Sequence, residues 1–116
     1  MRILWIALLA LAAFAQDAPK YFLIDMALAP GVDVMHLTQP QMAIFQQHGA
    51  QLTKLRDEGV VVMGGHTDNP QNVRAIVIVK AKDTAEARAL ADADPAVKAG
   101  LLKHAVEAFT LAVPPK

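Results

Sequence analysis

The feature that most constrains the fold is the order in which strand-like and helix-like segments follow one another along the chain. Strand-like segments combine apolar alternation with β-branched residues, and they occupy residues 20–28, 60–63, 74–80 and about 103–113. A long helix-like segment follows the first of them, and an alanine-rich one, extended by a short helical turn, follows the third. The order is therefore β-α-β-β-α-β, which predicts an α+β domain.

Local signals at the ends of the helix-like segments support this assignment. The stretch from Thr38 to Gln41 matches the capping box S/T-x-x-E/Q, and Gly59 supplies the left-handed residue that commonly ends a helix. Later in the chain, Asp94 stands directly before Pro95, which is the usual order of an N-cap and a first helical residue. Both helical regions thus contain a defined start.

A β-α-β-β-α-β order is typical of ferredoxin-like domains, in which an antiparallel sheet carries both helices on one face. The opposite face would then expose apolar side chains, among them Leu23, Ala27, Val61 and alternate residues of 76–79. Exposed apolar patches of this kind favour protein–protein contact, and a two-fold dimer buries the same patch of both copies. We therefore predict a homodimer that forms through the sheet face.

The N-terminal residues have the pattern of a secretion signal. Arg2 precedes an apolar run over residues 3–14, and Ala13 and Ala15 stand at the −3 and −1 positions of a cleavage site before Gln16. The alternative is an uncleaved anchor helix. Cleavage predicts a single domain of residues 16–116, exported to the periplasm or the medium and free of the membrane. The absence of cysteine excludes disulfides and a lipid-anchored form.

The charge and residue content exclude several classes of function. With 11 basic and 11 acidic residues, the chain lacks the basic surface of nucleic-acid-binding proteins, and it also lacks their aromatic strand motif. Its four histidines show no H-x-x-H or H-E-x-x-H spacing, and no phosphate-binding loop or nucleophile elbow is present. We therefore expect no nucleic acid, no metal and no cofactor.

His48 lies in the apolar stripe of the first predicted helix. At about 100° per residue, Met42, Phe45, Gly49 and Leu52 fall on the same side of that helix, so the imidazole is expected to point toward the sheet. A histidine in this position is either a hydrogen-bonded core residue or a functional one. Gly49 either clears space beside the ring or allows close packing of the helix.

Asp94 also has two interpretations. An aspartate before proline at a helix start is an ordinary N-cap, worth about 1 kcal/mol. If its carboxylate meets His48 instead, it fixes the tautomer of the imidazole and leaves the other ring nitrogen free to exchange protons with a bound molecule. General acid–base catalysis of this kind contributes roughly 10² to 10⁴ in rate.

Three stretches of the chain resemble the YCII-related family of small dimeric domains. The first begins at His48 and ends at Gly64, and it is similar to the family's histidine-bearing helix and second strand. The second, residues 72–78, is similar to the third strand, and the third and most specific stretch is residues 84–100. The resemblance covers nearly the whole predicted domain, from about residue 21 to residue 113.

This resemblance implies a fold and a candidate site. The family shares the dimeric α-β barrel fold with muconolactone isomerases and cofactor-independent oxygenases, and some relatives eliminate chloride from ring compounds. Its candidate active site pairs a histidine with an aspartate, and the match gives those roles to His48 and Asp94. The implied activity is that of a cofactor-free lyase or isomerase on a small, cyclic or aromatic molecule.

A second histidine, His66, is predicted to lie in the loop after the second strand, close to Asp68. Loops often carry ligand contacts, so His66 is a candidate substrate-binding residue, the alternative being a solvated loop histidine. His36 and His104 are interpreted as surface residues. For the whole protein, the alternative to an enzyme is a non-catalytic dimer that binds a small ligand or a protein partner.

Overall fold

The computed structural model describes residues 19–116, so the predicted signal peptide of residues 1–15 lies outside the described part of the chain. None of the helices in residues 19–116 is long and apolar enough to cross a membrane. The described part of the chain contains seven elements in the order β1 (Lys20–Leu28), α1 (Gln39–Asp57), β2 (Val61–His66), β3 (Arg74–Ala81), α2 (Thr84–Asp92), α3 (Pro95–Lys98) and β4 (Leu102–Phe109).

The four strands form one antiparallel sheet in the order β2-β3-β1-β4. The helices pack on the face that carries Phe22, Ile24 and Met26 of β1, and the small side chains of Ala87 and Ala91 let α2 approach that face closely. This arrangement confirms the predicted α+β, ferredoxin-like fold of the single chain. Because β1 lies in the middle of the sheet, its alternate apolar residues form the centre of the core.

The local signals mark the helix ends as predicted. Thr38 is the N-cap of α1 and forms both hydrogen bonds of a capping box with Gln41, and Gly59 adopts the left-handed backbone conformation after the helix, with a φ of 80°. Asp94 is the N-cap of α3, with Pro95 as its first residue. These ends depend on contacts between near neighbours in sequence, which explains why the sequence predicts them.

Two strand boundaries differ from the prediction by three residues or more, and the other differences are of one residue. β2 continues through Gly64 and Gly65 to His66, because hydrogen bonds to β3 hold the two glycines in extended conformation despite their low strand propensity. The prediction that His66 lies in a loop was therefore wrong. β4 ends at Phe109 rather than near residue 113, because Phe109 already pairs with Tyr21 at the start of β1.

The sheet face opposite the helices carries an apolar patch, as predicted, but two positions differ from the expectation, and one of them is Ile78, which lies on this face and is only 4% exposed. Val61 pairs with Val79 and is buried on the helix side, so its predicted place on the outer face was wrong. The large exposed side chains of the outer face are Met63, Ile76 and Phe109. An ion pair between Asp25 and Arg74 lies on the same face.

Candidate active site

The central contact of the candidate site joins the first helix to the segment between α2 and α3. Nδ1 of His48, in the middle of α1, lies 2.6 Å from Oδ2 of Asp94. The side chain of His48 is 15% exposed and that of Asp94 only 3% exposed. The structure therefore brings together the two residues that the sequence singled out, across 46 positions of the chain.

Both oxygens of Asp94 accept hydrogen bonds. Oδ2 accepts from the imidazole, and Oδ1 accepts from the backbone N–H of Ala96 at 2.8 Å, which is the N-cap bond of α3. A buried carboxylate needs such partners because losing its hydration without them costs several kcal/mol or more. The two interpretations of Asp94 thus apply at the same time: it caps α3 and it holds His48.

The carboxylate determines the tautomer of His48. Because a carboxylate only accepts hydrogen bonds, Nδ1 must carry the hydrogen, and the neutral ring then has a lone pair on Nε2. Phe45, one turn earlier in α1, packs edge-on against the imidazole with ring centroids 6.3 Å apart and an interplanar angle of 87°. The ring is therefore fixed by a hydrogen bond on one side and by an aromatic contact.

His48 opens into a cavity of about 340 Å³ between α1 and the β2 edge of the sheet. This volume falls in the range of small-molecule sites, roughly 300–1,000 Å³. Leu52, Val61, Ala75 and Val77 supply apolar walls, whereas Asp94 does not reach the cavity. Since Asp94 occupies Nδ1 from outside the cavity, Nε2 is the ring nitrogen available to a molecule bound inside it.

His66 lines the same cavity, although it lies on a strand rather than on the predicted loop. It pairs with Ala75 across the β2–β3 ladder, and that register directs its side chain to the helix face of the sheet. Its Nδ1 lies 3.1 Å from the carbonyl oxygen of Thr67, and its side chain is 68% exposed. His66 is thus a rim residue of the cavity, across from α1.

The remaining two histidines lie away from the cavity. The ring of His36 donates a hydrogen bond to Asp33 in the exposed loop after β1. That bond, helped by a second one from the backbone N–H of Met35, lowers the pKa of the Asp33 carboxyl from its ordinary value. Both partners are exposed, so this pair is a local surface contact.

His104 forms a second histidine–aspartate pair, which no sequence pattern predicts. Its Nε2 lies 2.6 Å from Oδ1 of Asp92, and its Nδ1 is buried with no hydrogen-bond partner in residues 19–116. His104 is therefore not the surface residue that was expected, because it points to the helix side of β4. Asp92 and Asp94, two positions apart, thus bind the imidazoles of His104 on β4 and His48 on α1.

Several further cavity residues were not identified from the sequence. Thr53 and Arg56 line the cavity from α1, and Gly64 lines it from β2. Of these residues, only Gly64 has a recognisable sequence pattern. It belongs to a pair of glycines, and glycine inside a strand often marks a position where other atoms approach the backbone closely. Within the described residues, no three histidine, aspartate or glutamate side chains are placed to hold a metal ion.

Comparison with known proteins places the chain in a family. The model of the YCII-related domain matches residues 11–110. The chain belongs to the YCII-related domain family. No curated protein matches this YCII-related protein at a significant level.

Solved structures of similar fold include enzymes. One is 5-chloro-2-hydroxyhydroquinone dehydrochlorinase from Burkholderia phenoliruptrix AC1100, in complex with 2,5-dihydroxybenzoquinone, with 22% identity, a TM-score of 0.54, and coverage of 78% of this chain and 93% of that one. An uncharacterized protein from Thermotoga maritima has 6% identity and a TM-score of 0.51 over 80% of this chain and 100% of the other. A variant of SnoaB, a cofactor-independent oxygenase from Streptomyces nogalater, has 12% identity and a TM-score of 0.48 over 84% and 100%. The two neighbours with TM-scores above 0.5 share the fold of the YCII-related protein.

Proposed function

We propose that this YCII-related protein is a cofactor-independent enzyme that moves a proton on a small molecule bound in the cavity beside His48. The observation that carries the proposal is the orientation of the imidazole. Asp94, which does not line the cavity, binds Nδ1, so Nε2 is the ring nitrogen left to accept a proton from a molecule in the cavity. A positioned base of this kind is the arrangement that general acid–base catalysis requires.

The reaction begins when Nε2 accepts a proton from the bound molecule, whose electron pair stays behind as an enolate or phenolate. The buried carboxylate of Asp94 stabilises the imidazolium that forms, as the aspartate of a catalytic triad does. In an isomerase the same proton returns to another atom of the molecule. In a lyase the electron pair expels an anionic leaving group instead, and neither route consumes an oxidant or reductant.

Ring compounds are the substrate class that best fits the cavity. Its apolar walls come from α1 on one side and from β2 and β3 on the other, which suits a flat apolar molecule with a polar edge. The dehydrochlorinase of similar fold is described in complex with 2,5-dihydroxybenzoquinone, a molecule of this shape. Because residues 1–15 predict export, we propose that this activity takes place outside the cytoplasm.

The test is a screen of hydroxylated, chlorinated and lactone ring compounds, with substrate loss followed by mass spectrometry and no cofactor added. With a substrate in hand, His48→Asn is expected to lower turnover by roughly 10² to 10⁴, the contribution of a general base. The amide nitrogen of asparagine can still donate to Asp94, so thermal unfolding should change little. Full turnover by the folded variant would exclude His48 as the base.

A specific observation supports a second candidate function, a non-catalytic ligand-binding domain. The carboxylate of Asp94 caps α3 and ties it to α1, which is what a purely structural contact would do. In that case, changes at His48 or Asp94 lower the melting temperature and leave ligand affinity as it is. The two candidates therefore differ in which property the same variants change.

We further propose that two copies pair through the outer face of the sheet. Ile76 lies on that face and is 40% exposed in the single chain. Ile76→Lys places a positive charge in the proposed interface. In the single chain this lysine would lie opposite Asp25 on the neighbouring strand, and because the two charges attract, the fold should tolerate the substitution. We expect this variant to elute as a monomer in size-exclusion chromatography with light scattering.

The matched control is Met42→Lys, which changes an apolar side chain of similar exposure, 45%, on the first helix. It should remain a dimer. The proposed interface would be wrong if Ile76→Lys dimerised as the wild type does, or if both variants became monomeric.

A further inference from the structure

We infer, on the basis of the proposed function, that the cavity binds a small planar anion and that Arg56 binds its charged oxygen. The carboxylate, enolate or phenolate oxygen of such a ligand would lie at the Arg56 end, and its reacting atom at the His48 end. Arg56 would thereby determine which ring compounds enter, as a specificity residue separate from the His48–Asp94 pair.

The charges of the cavity wall favour an anion. Arg56 is the one cavity-lining residue with a permanent charge in the described chain, and the wall contains no aspartate or glutamate. The two histidines of the wall, His48 and His66, contribute no negative charge. A negatively charged ligand thus meets no like charge on this wall, whereas a cation would lie beside a guanidinium.

The guanidinium of Arg56 remains available to a ligand. Two of its nitrogens, Nε and one terminal nitrogen, lie 3.2 and 3.0 Å from the same oxygen of Asp57, which does not line the cavity. Both side chains are well exposed, and ion pairs of this kind contribute only about 0–1 kcal/mol. The guanidinium has five N–H donors, so several remain for a carboxylate or phenolate oxygen.

The spacing along α1 fits a ligand bound at two points. His48 and Arg56 lie eight positions apart, which is about 12 Å along a helix of 1.5 Å rise per residue. The side chain of Arg56 is long and flexible, and turning from Asp57 toward the helix N-terminus, the usual direction of helical side chains, would shorten the gap to the imidazole. Leu52 lies between them, so an apolar ring can pack there while its two polar ends reach the two side chains.

A purely structural role of Arg56 predicts a different outcome. Arg56 and Lys54 are both basic residues in the last turn of α1, where positive charge stabilises the helix end. Lys54 does not line the cavity, and its own partner is Glu58, at 4.0 Å. Lys54→Gln therefore removes the same charge from the same turn without changing the cavity, which makes it the matched control for Arg56→Gln.

The experiment is an NMR titration of the ¹⁵N-labelled protein with benzoate and with benzamide, a neutral molecule of nearly the same shape. Benzoate should shift the amide signals of Gly49, Thr53 and Gly64, and bind more tightly than benzamide. Arg56→Gln is expected to weaken benzoate binding about tenfold, because it removes charge-assisted hydrogen bonds. Lys54→Gln should bind benzoate as the wild type does, and neither variant should alter benzamide binding.

Equal affinity for benzoate and benzamide, or unchanged benzoate binding in Arg56→Gln, would overturn the inference. So would an equal loss in Lys54→Gln, since the effect would then come from the helix charge. The readout is separate from catalysis. If His48→Asn retains turnover while Arg56→Gln loses benzoate binding, the proposed mechanism is wrong and the anion site is supported. If His48→Asn loses turnover while Arg56→Gln still binds benzoate, only the anion site is rejected.

Discussion

Replacing Asp94 with asparagine is expected to lower turnover by roughly 10² to 10⁴ while the protein remains folded. The carboxylate accepts one hydrogen bond at each oxygen, from Ala96 N–H and from Nδ1–H of His48. Asparagine has one acceptor oxygen, and its other terminal atom is a donor. One of the two hydrogen bonds must therefore change direction.

The changed hydrogen bond is the one to His48. Asparagine is as good an N-cap as aspartate, so its oxygen keeps the bond from Ala96 and α3 begins as before. The amide nitrogen then faces Nδ1 and donates to it, which moves the imidazole hydrogen to Nε2. With Nε2 protonated, the nitrogen at the cavity wall has no lone pair to accept a proton from the ligand. In serine proteases, the corresponding change lowers turnover by about 10⁴ for this reason.

Asp92→Asn is the matched control, because it removes the same charge two residues earlier in the same segment. Its partner His104 lies outside the cavity lining, so turnover should stay near the wild-type value. The tautomer can be measured directly from the ¹⁵N chemical shifts of His48 without any substrate. Asp94→Asn should move the hydrogen from Nδ1 to Nε2, and Asp92→Asn should leave it on Nδ1.

Two results would contradict this mechanism. Full turnover in Asp94→Asn, with the shifted tautomer confirmed, would show that Nε2 does not act as a base. A low melting temperature with unchanged ligand affinity would support the non-catalytic alternative, in which Asp94 only joins α3 to α1. Because asparagine preserves the N-cap, a loss of turnover in this variant cannot be attributed to loss of the cap itself.

The sequence predicts those parts of the fold that depend on neighbouring residues. The capping box at Thr38, the left-handed Gly59 and the N-cap at Asp94 each act within one helical turn, so they can be identified without knowledge of the tertiary structure. The β-branched run of β3 is equally local. From these elements the β-α-β-β-α-β order follows, and with it the sheet that carries the site.

Features that depend on strand pairing could not be predicted in the same way. The glycines before His66 have low strand propensity, and only hydrogen bonds to β3 keep them in the sheet. Those bonds change His66 from a loop residue into a strand residue that faces the cavity. Similarly, the end of β4 is determined by the first residues of β1, which lie far away in sequence.

The candidate site was only partly predictable for a related reason. Periodicity placed His48 on the apolar side of α1, and the cap signal placed Asp94 at a helix start, but neither pattern contains the distance between them. Arg56 gave no signal, because a basic residue near the end of a helix is common. Its place on the cavity wall depends on how α1 crosses the β2 edge, which is a tertiary property.

Filling the cavity from the sheet side with a large side chain is expected to lower ligand affinity and turnover strongly without disturbing the His48–Asp94 pair. Gly64 pairs with Val77, so a side chain at this position points to the helix face of the sheet. A Cβ atom there would lie 3.7 Å from Cγ2 of Val77 and 3.6 Å from the carbonyl oxygen of Ile76, which are ordinary contacts. The backbone of Gly64 has no positive φ, so an L-residue fits without strain.

The series Gly64→Ala, Gly64→Val and Gly64→Leu separates cavity volume from backbone effects. All three variants remove the conformational freedom of glycine, but only the larger side chains extend into the space that Leu52 faces from α1. We expect Gly64→Ala to retain most of the activity. Gly64→Leu should lower kcat/KM by about 10² or more, because its four added carbon atoms displace ligand atoms, each of which contributes at most about 1.5 kcal/mol to the binding free energy. Calorimetry should show a fold that is at least as stable, since valine and leucine suit a strand better than glycine.

The same series locates the site independently of any charged residue. If Gly64→Leu retains full turnover and the ¹⁵N shifts of His48 are unchanged, the ligand does not occupy this cavity, and both the base and the anion-binding arginine would have to be sought elsewhere. If activity falls with side-chain size while the His48 tautomer stays the same, the loss comes from occupied volume alone. Since Gly64 and His48 lie on opposite walls, that result would place the ligand between them.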